Sequence, residues 1–131
     1  MNIKHLLSTN MISVVDISLN ALDFYDGSYH SISLNEITEE MYEKANWHDR
    51  AMRQYNRGYI FFNPSTRDVR IGIDVYTDTD FEDWADFQLT DEERDEFFRE
   101  LNEMLLEWHG MTFEQILASG RFKDAMAWTR D

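Results

Sequence analysis

Between Asp74 and Glu103 the chain carries 13 carboxylates against two basic residues, Arg94 and Arg99, a net −11 out of −14 for all 131 residues. A carboxylate taken out of water without a partner is costly, so whatever this stretch folds into must keep one side in solvent. Its first part, Asp78–Gln88, interleaves Asp78, Asp80, Glu82, Asp83 and Asp86 with Phe81, Trp84 and Phe87. Its second part opens on Thr90-Asp-Glu-Glu93, the form of a capping box, in which threonine and glutamate each satisfy the other's backbone N–H. Acids in a first turn also suit the positive end of the helix dipole. The helix is expected to run to His109 and stop at Gly110. Wound at about 100° per residue, it collects Phe97, Phe98, Leu101, Met104, Leu105 and Trp108 on one face. Glu92, Glu93, Glu96, Glu100, Glu103 and Glu107 fall on another.

The rest of the chain supplies strands and shorter helices. Met1–Asn10 reads as a small helix or a loose start. Met11–Leu19 is rich in β-branched residues and reads as a strand. Asp26-Gly27 offers the positive φ of a tight turn, which predicts a hairpin over Leu19–Leu34. Ser33-Leu-Asn-Glu36 has capping-box form, with Asn35 a rival cap, and predicts a helix over 36–57 ending at Gly58. On that helix Ile37, Met41, Ala45, His48, Ala51, Met52 and Tyr55 share a face, so His48 reads as a core histidine rather than a base or ligand. Tyr59–Asn63 is a strand, Asn63–Asp68 a turn with the one proline, and Val69–Tyr76 a cleanly alternating strand. Val69, Ile71, Ile73 and Val75 face in; Arg70, Gly72, Asp74 and Tyr76 face out. Thr112-Phe-Glu-Gln115 caps a third short helix ending at Ser119-Gly120, and Arg121–Thr129 makes a fourth that buries Phe122, Ala125, Met126 and Trp128. The sum is one α+β domain over 1–131. An antiparallel sheet of about four strands, in two hairpins, carries helices on one face and a helical C-terminal third.

Composition narrows the function classes. A hydrophobic content of 43% supplies a core, so the charge does not imply disorder. A pI near 4.5 sets the chain against nucleic acid and anionic membrane, both of which repel it, and in favour of a basic partner. The charge also exceeds the magnitude of about 2–8 that keeps a small domain soluble. With no cysteine, disulfides, thiolate zinc sites and a cysteine nucleophile are excluded. No apolar run is long enough for a membrane span and Met1–Asn10 lacks a signal core, so a cytoplasmic protein is expected.

Chemistry-bearing motifs are lacking. Asp78-Thr-Asp80-Phe-Glu82 imitates the start of a calcium loop, but Asp83 stands where that loop needs glycine and Leu89 where it needs glutamate. Carboxylates are so abundant that glycosidase-like pairs would occur in any fold and carry no information. His5, His30, His48 and His109 have no metal-ligand spacing, and no nucleotide or nucleophile-elbow motif occurs. No metal, cofactor or catalytic residue is therefore expected, and the chain reads as a non-enzymatic protein.

The helical acids are the informative feature. Glu92, Glu96, Glu100, Glu103 and Glu107 recur every three or four residues, about 4.5–6 Å apart along the axis. Like charges at that spacing cost an isolated helix a few tenths of a kcal/mol per pair. Arg99 sits at the edge of the row and Arg94 on the other side. DNA presents about one charge per 3.4 Å of axis per strand, so the row offers a basic groove roughly what a phosphate backbone offers. In size and charge the chain is similar to small acidic inhibitors of phages and mobile elements, such as anti-CRISPR and anti-restriction proteins. The expected function is to occupy the basic groove of a nucleic-acid-processing enzyme as a nucleic-acid mimic. Asp78, Asp80, Glu82, Asp83, Asp86 and the five glutamates would form the surface; Phe81, Trp84 and Phe87 read either as core capping one end of the sheet or, exposed among the acids, as aromatic anchors of that surface. An immunity protein or antitoxin neutralising a basic nuclease toxin is the alternative, and a small carboxylate-dependent enzyme a further one.

Overall fold

The computed structural model describes residues 1–23, 25–47, 56–76, 81–118 and 123–124. Its centre is an antiparallel sheet in the order β2-β3-β4-β5, formed by His30–Leu34, Asn56–Asn63, Asp68–Tyr76 and Phe81–Gln88. The α+β class and the four-stranded antiparallel sheet are as expected. Alternation explains the middle of it: Ile32, Ile60, Ile71 and Ile73 lie on one face and are buried. The turn between β3 and β4 is held by Asn63, whose Oδ1 accepts from the Ser65 and Thr66 N–H groups at 3.0 and 3.3 Å.

Helices cover that buried face. α1 (Ile3–Thr9), α2 (Met11–Leu19), α4 (Asp91–His109) and α5 (Phe113–Ala118) pack there, with α3 (Glu39–Lys44) between β2 and β3 in the chain. Phe62 of β3 meets Phe97, Phe98 and Phe113 at ring centroid distances of 5.3, 6.4 and 6.0 Å. Aromatic contacts of this tilted kind add about 0.5–1.5 kcal/mol each beyond burial.

Four sequence expectations fail. Met11–Leu19 is the helix α2, not a strand. Asn10 breaks the chain between α1 and α2: its Nδ2 donates to the Leu6 carbonyl at 2.9 Å and its Oδ1 accepts from the Asn35 N–H at 2.6 Å. The resulting corner lays Val14 and Ser18, one helical turn apart, into the interior, and tertiary packing overrides β-propensity. The fourth strand of the sheet is instead Phe81–Gln88.

The hairpin over Leu19–Leu34 does not form. Gly27 does turn the chain at φ 78°, but β1 (Tyr25–Asp26) pairs in parallel with β6 (Lys123–Asp124) and β2 pairs with β3. That pairing also places Lys123 and Asp124 in extended backbone rather than in the expected fourth helix. The remainder of 119–131, with Phe122, Met126 and Trp128, lies outside the described residues.

Of the helix expected over 36–57, the described residues hold helix only in α3, and Asn56 and Arg57 belong to β3. Ser33 and Leu34 are taken by β2, opposite Tyr59 and Gly58, so the cap falls to Thr38, whose hydroxyl accepts from the Met41 N–H at 3.3 Å. Asn46 at φ 57° then turns the chain away. Gly58 is no helix stop but an internal strand residue, with Ile37 Cγ1 only 2.9 Å from where a Cβ would stand. His48, Ala51, Met52 and Tyr55 lie outside the described residues.

Candidate partner-binding surface

α4 forms as its sequence dictates. The Glu93 N–H donates to the Thr90 hydroxyl at 3.2 Å, and the Thr90 N–H donates to Glu93 Oε1 at 3.0 Å. At the other end Gly110 adopts φ 69° and its N–H donates to the Leu106 carbonyl at 3.0 Å. Phe97, Phe98, Leu101 and Leu105 are fully buried. Trp108, expected on the same face, remains 38% exposed. Glu93 leaves the outer row: it is buried and its Oε2 accepts from the Met1 amino group at 2.7 Å. Burial pushes its carboxyl pKa up, but hydrogen bonds from that amino group and from Thr90 pull it down further, and the net is a lowered value.

The remaining acids of α4 divide by partner. Arg94 bridges Asp91 and Asp95 at 3.3 Å each. Arg67, 4.6 Å above the Phe98 ring, bridges Asp95 at 3.3 Å and Glu114 at 2.8 Å. Of the row, Glu96 alone has a cation, Arg99 at 4.0 Å. Glu92, Glu100, Glu103 and Glu107 make no ion pair among the described residues. The other described arginines are occupied on the sheet, Arg57 with Asp74 at 3.4 Å and Arg70 with Asp68 at 2.8 Å and Asp86 at 3.5 Å.

The expected surface is not one patch. Neighbouring strand residues point to opposite faces, so Phe61 projects away from Phe62 and its helices. Trp84 lies on the Phe61 side, ring centroids 5.3 Å apart, over Gly72, where a Cβ would stand 2.2 Å from Trp84 Cη2. Asp86, held by Arg70, shares that outer face, and Phe87 points inward against the core. The sheet thus separates Trp84 and Asp86 from the row on α4. Phe81, Glu82 and Asp83 belong to β5; Asp78 and Asp80 lie outside the described residues.

The row has a neighbour that sequence reasoning missed. Glu100, Glu103 and Glu107 form one wall of a hollow of about 240 Å³ between α4 and the α1–α2 corner. Leu7 and Val14, both buried, lie beneath it, Met11 of α2 and Met104 of α4 add apolar lining, and exposed Lys4 also borders it. Met11 is 42% exposed. No local signal assigns it here, because the corner at Asn10 arises only when α2 is a helix.

Elsewhere the surface offers little chemistry. The His5 ring borders a hollow of about 330 Å³ with Glu36 and Glu40 but makes no hydrogen bond among the described residues. No group of His, Asp and Glu among the described residues is arranged to hold a metal ion. No helix among them is long and apolar enough to cross a membrane. Comparison with protein-family models, with curated proteins and with solved structures finds no match for this chain.

Proposed function

We propose that this is a non-enzymatic acidic binding protein whose α4 row occupies the basic groove of a nucleic-acid-processing enzyme, in the manner of an anti-CRISPR or anti-restriction inhibitor. One observation carries the reading: the described arginines pair on the sheet and the flank of α4, while Glu92, Glu100, Glu103 and Glu107 have no ion-pair partner among the described residues. Unpaired like charges cost the helix stability, and a partner's cations would return it. The row reaches from Glu92 to Glu107, about 22 Å at 1.5 Å per residue, long enough to lie along a groove that takes several phosphates.

The test is the triple substitution Glu96→Lys, Glu100→Lys, Glu103→Lys. A partner captured on the unmodified protein is purified and titrated against both forms, with nucleic acid as competitor. The lysine form is expected to stay folded and lose binding. Binding by the unmodified protein should fall steeply with salt, since surface charges are screened beyond about 8–10 Å. Unchanged affinity for the lysine form at low and high salt, with loss on Trp84→Ala instead, would move the interface to the outer sheet face.

A further inference from the structure

The hollow beside the row says which element of a partner fits it. We infer that the cleft between α1, α2 and α4 receives an amphipathic basic helix, apolar side on Met11 and Met104, lysines or arginines on Glu100, Glu103 and Glu107. This rests on the acidic row being the binding surface, and adds the shape and mixed chemistry of what binds.

Three features carry it. First, the lining is mixed in kind. A purely electrostatic contact has no use for exposed methionine, yet Met11 is 42% exposed and lines the same hollow as three carboxylates. Methionine side chains are flexible and polarisable and mould to varied apolar surfaces. Second, lysine and arginine are themselves two-natured: the methylene stem lies on apolar surface while the head reaches a charge. The cleft is lined by both, so a cation there is held at two points where a phosphate-like row alone would hold it at one. Third, the carboxylates repeat at three and four residues over two turns, about 10.5 Å of axis. A helix lying alongside presents its own side chains at the same interval, as flanking charges do in paired helices. An extended strand does not keep that register.

Charge complementarity excludes other occupants. Nucleic acid would bring phosphates against Glu100, Glu103 and Glu107, and a second copy would bring another acidic row. A basic helix is also what many nucleic-acid-binding proteins lay into a DNA groove, which makes this cleft a competitor for the same surface.

The experiment uses two synthetic peptides of identical leucine and lysine composition, one patterned as an amphipathic helix and one scrambled, with binding followed by fluorescence anisotropy at physiological salt. The patterned peptide is expected to bind roughly tenfold tighter, a difference of about 1.4 kcal/mol. Met11→Asp should erase that advantage. It opens α2, where an acid suits the helix dipole, so circular dichroism should show the fold retained. Ile12→Ser, at an 89% exposed apolar residue outside the cleft, should change nothing. Equal binding of the two peptides, no binding of either, or indifference to Met11→Asp overturns the cleft. The reading of the acidic row falls separately, if the captured partner still binds the triple-lysine form.

Discussion

The acids around the β3–β4 turn and the acids along α4 are the same chemical groups put to opposite uses. At the turn each carboxylate is consumed by the fold. Asp68 accepts from the Tyr29 hydroxyl at 2.6 Å, from Arg70 at 2.8 Å and from the Gln88 amide at 2.9 Å. Arg67 of the turn also takes Asp95 from the flank of α4 and Glu114 from α5. Along α4, Glu100, Glu103 and Glu107 face water and a cleft with no cation in pairing distance among the described residues. A count of charges treats the two regions alike. What separates them is where the described arginines stand: four, Arg57, Arg67, Arg70 and Arg94, pair at the sheet, the turn and the flank of α4, and among the described residues only Arg99 touches the row.

Asp68 tests the first half of that contrast and should give the largest effect. Asp68→Ala removes three hydrogen bonds to one largely buried carboxylate and is expected to cost about 2 kcal/mol in chemical denaturation. Its pH dependence follows from the same contacts. Burial pushes the Asp68 pKa up, but hydrogen bonds from Tyr29 and Arg70 outweigh it and leave the value below the ordinary 3.8. A carboxyl depressed on folding stabilises above its unfolded pKa, and that stability is lost as pH falls through the folded one. The unmodified protein should therefore weaken progressively below about pH 4, and Asp68→Ala should be less sensitive there. Equal acid sensitivity of the two would remove Asp68 from the account.

Arg67 should matter less, and in a way that separates its contacts from its backbone. It holds a left-handed φ of 63°, which costs a non-glycine residue about 1 kcal/mol. Arg67→Ala keeps that strain and loses the Phe98 stacking, for an expected loss of about 1 kcal/mol. Arg67→Gly relieves the strain and should come out near neutral by thermal melting. If glycine were the worse of the two, the bridges to Asp95 and Glu114 would be stronger than exposed pairs ordinarily are.

The row itself should show the smallest effect on folding, with its sign reversed. Glu103→Gln or Glu107→Gln removes a charge that repels its neighbours, so stability should rise by about 0.2–0.5 kcal/mol. A measurable loss of stability would mean the row is part of the fold after all.

Where local chemistry was sufficient, the sequence was enough. Thr90, Glu93 and Gly110 define α4 to the residue, because caps are settled by groups within one turn of each other. The alternation of Val69, Ile71 and Ile73 places β4, because a strand with one buried face has a period of two. Thr112 and Gln115 open α5 by the same reciprocal bonding, at 3.2 and 2.9 Å. Trp84, Asp86 and Gln88 alternate with Ala85 and Phe87 in just this way, yet the density of acids masked β5.

Partner-dependent features were not legible. Met11–Leu19 has the composition of a strand and becomes a helix because Asn10 finds Asn35, 25 residues away. The expected caps at Ser33 and Asn35 were claimed by pairing with β3 and by contacts to the Asn10 corner. The sequence by itself determined that a helix with one apolar and one acidic face exists between 91 and 109. Only the tertiary structure decided that Trp84 lies across the sheet from that face and that Met11 lies beside it. Helix periodicity and capping are local, whereas which surfaces become neighbours depends on contacts between residues far apart in the chain.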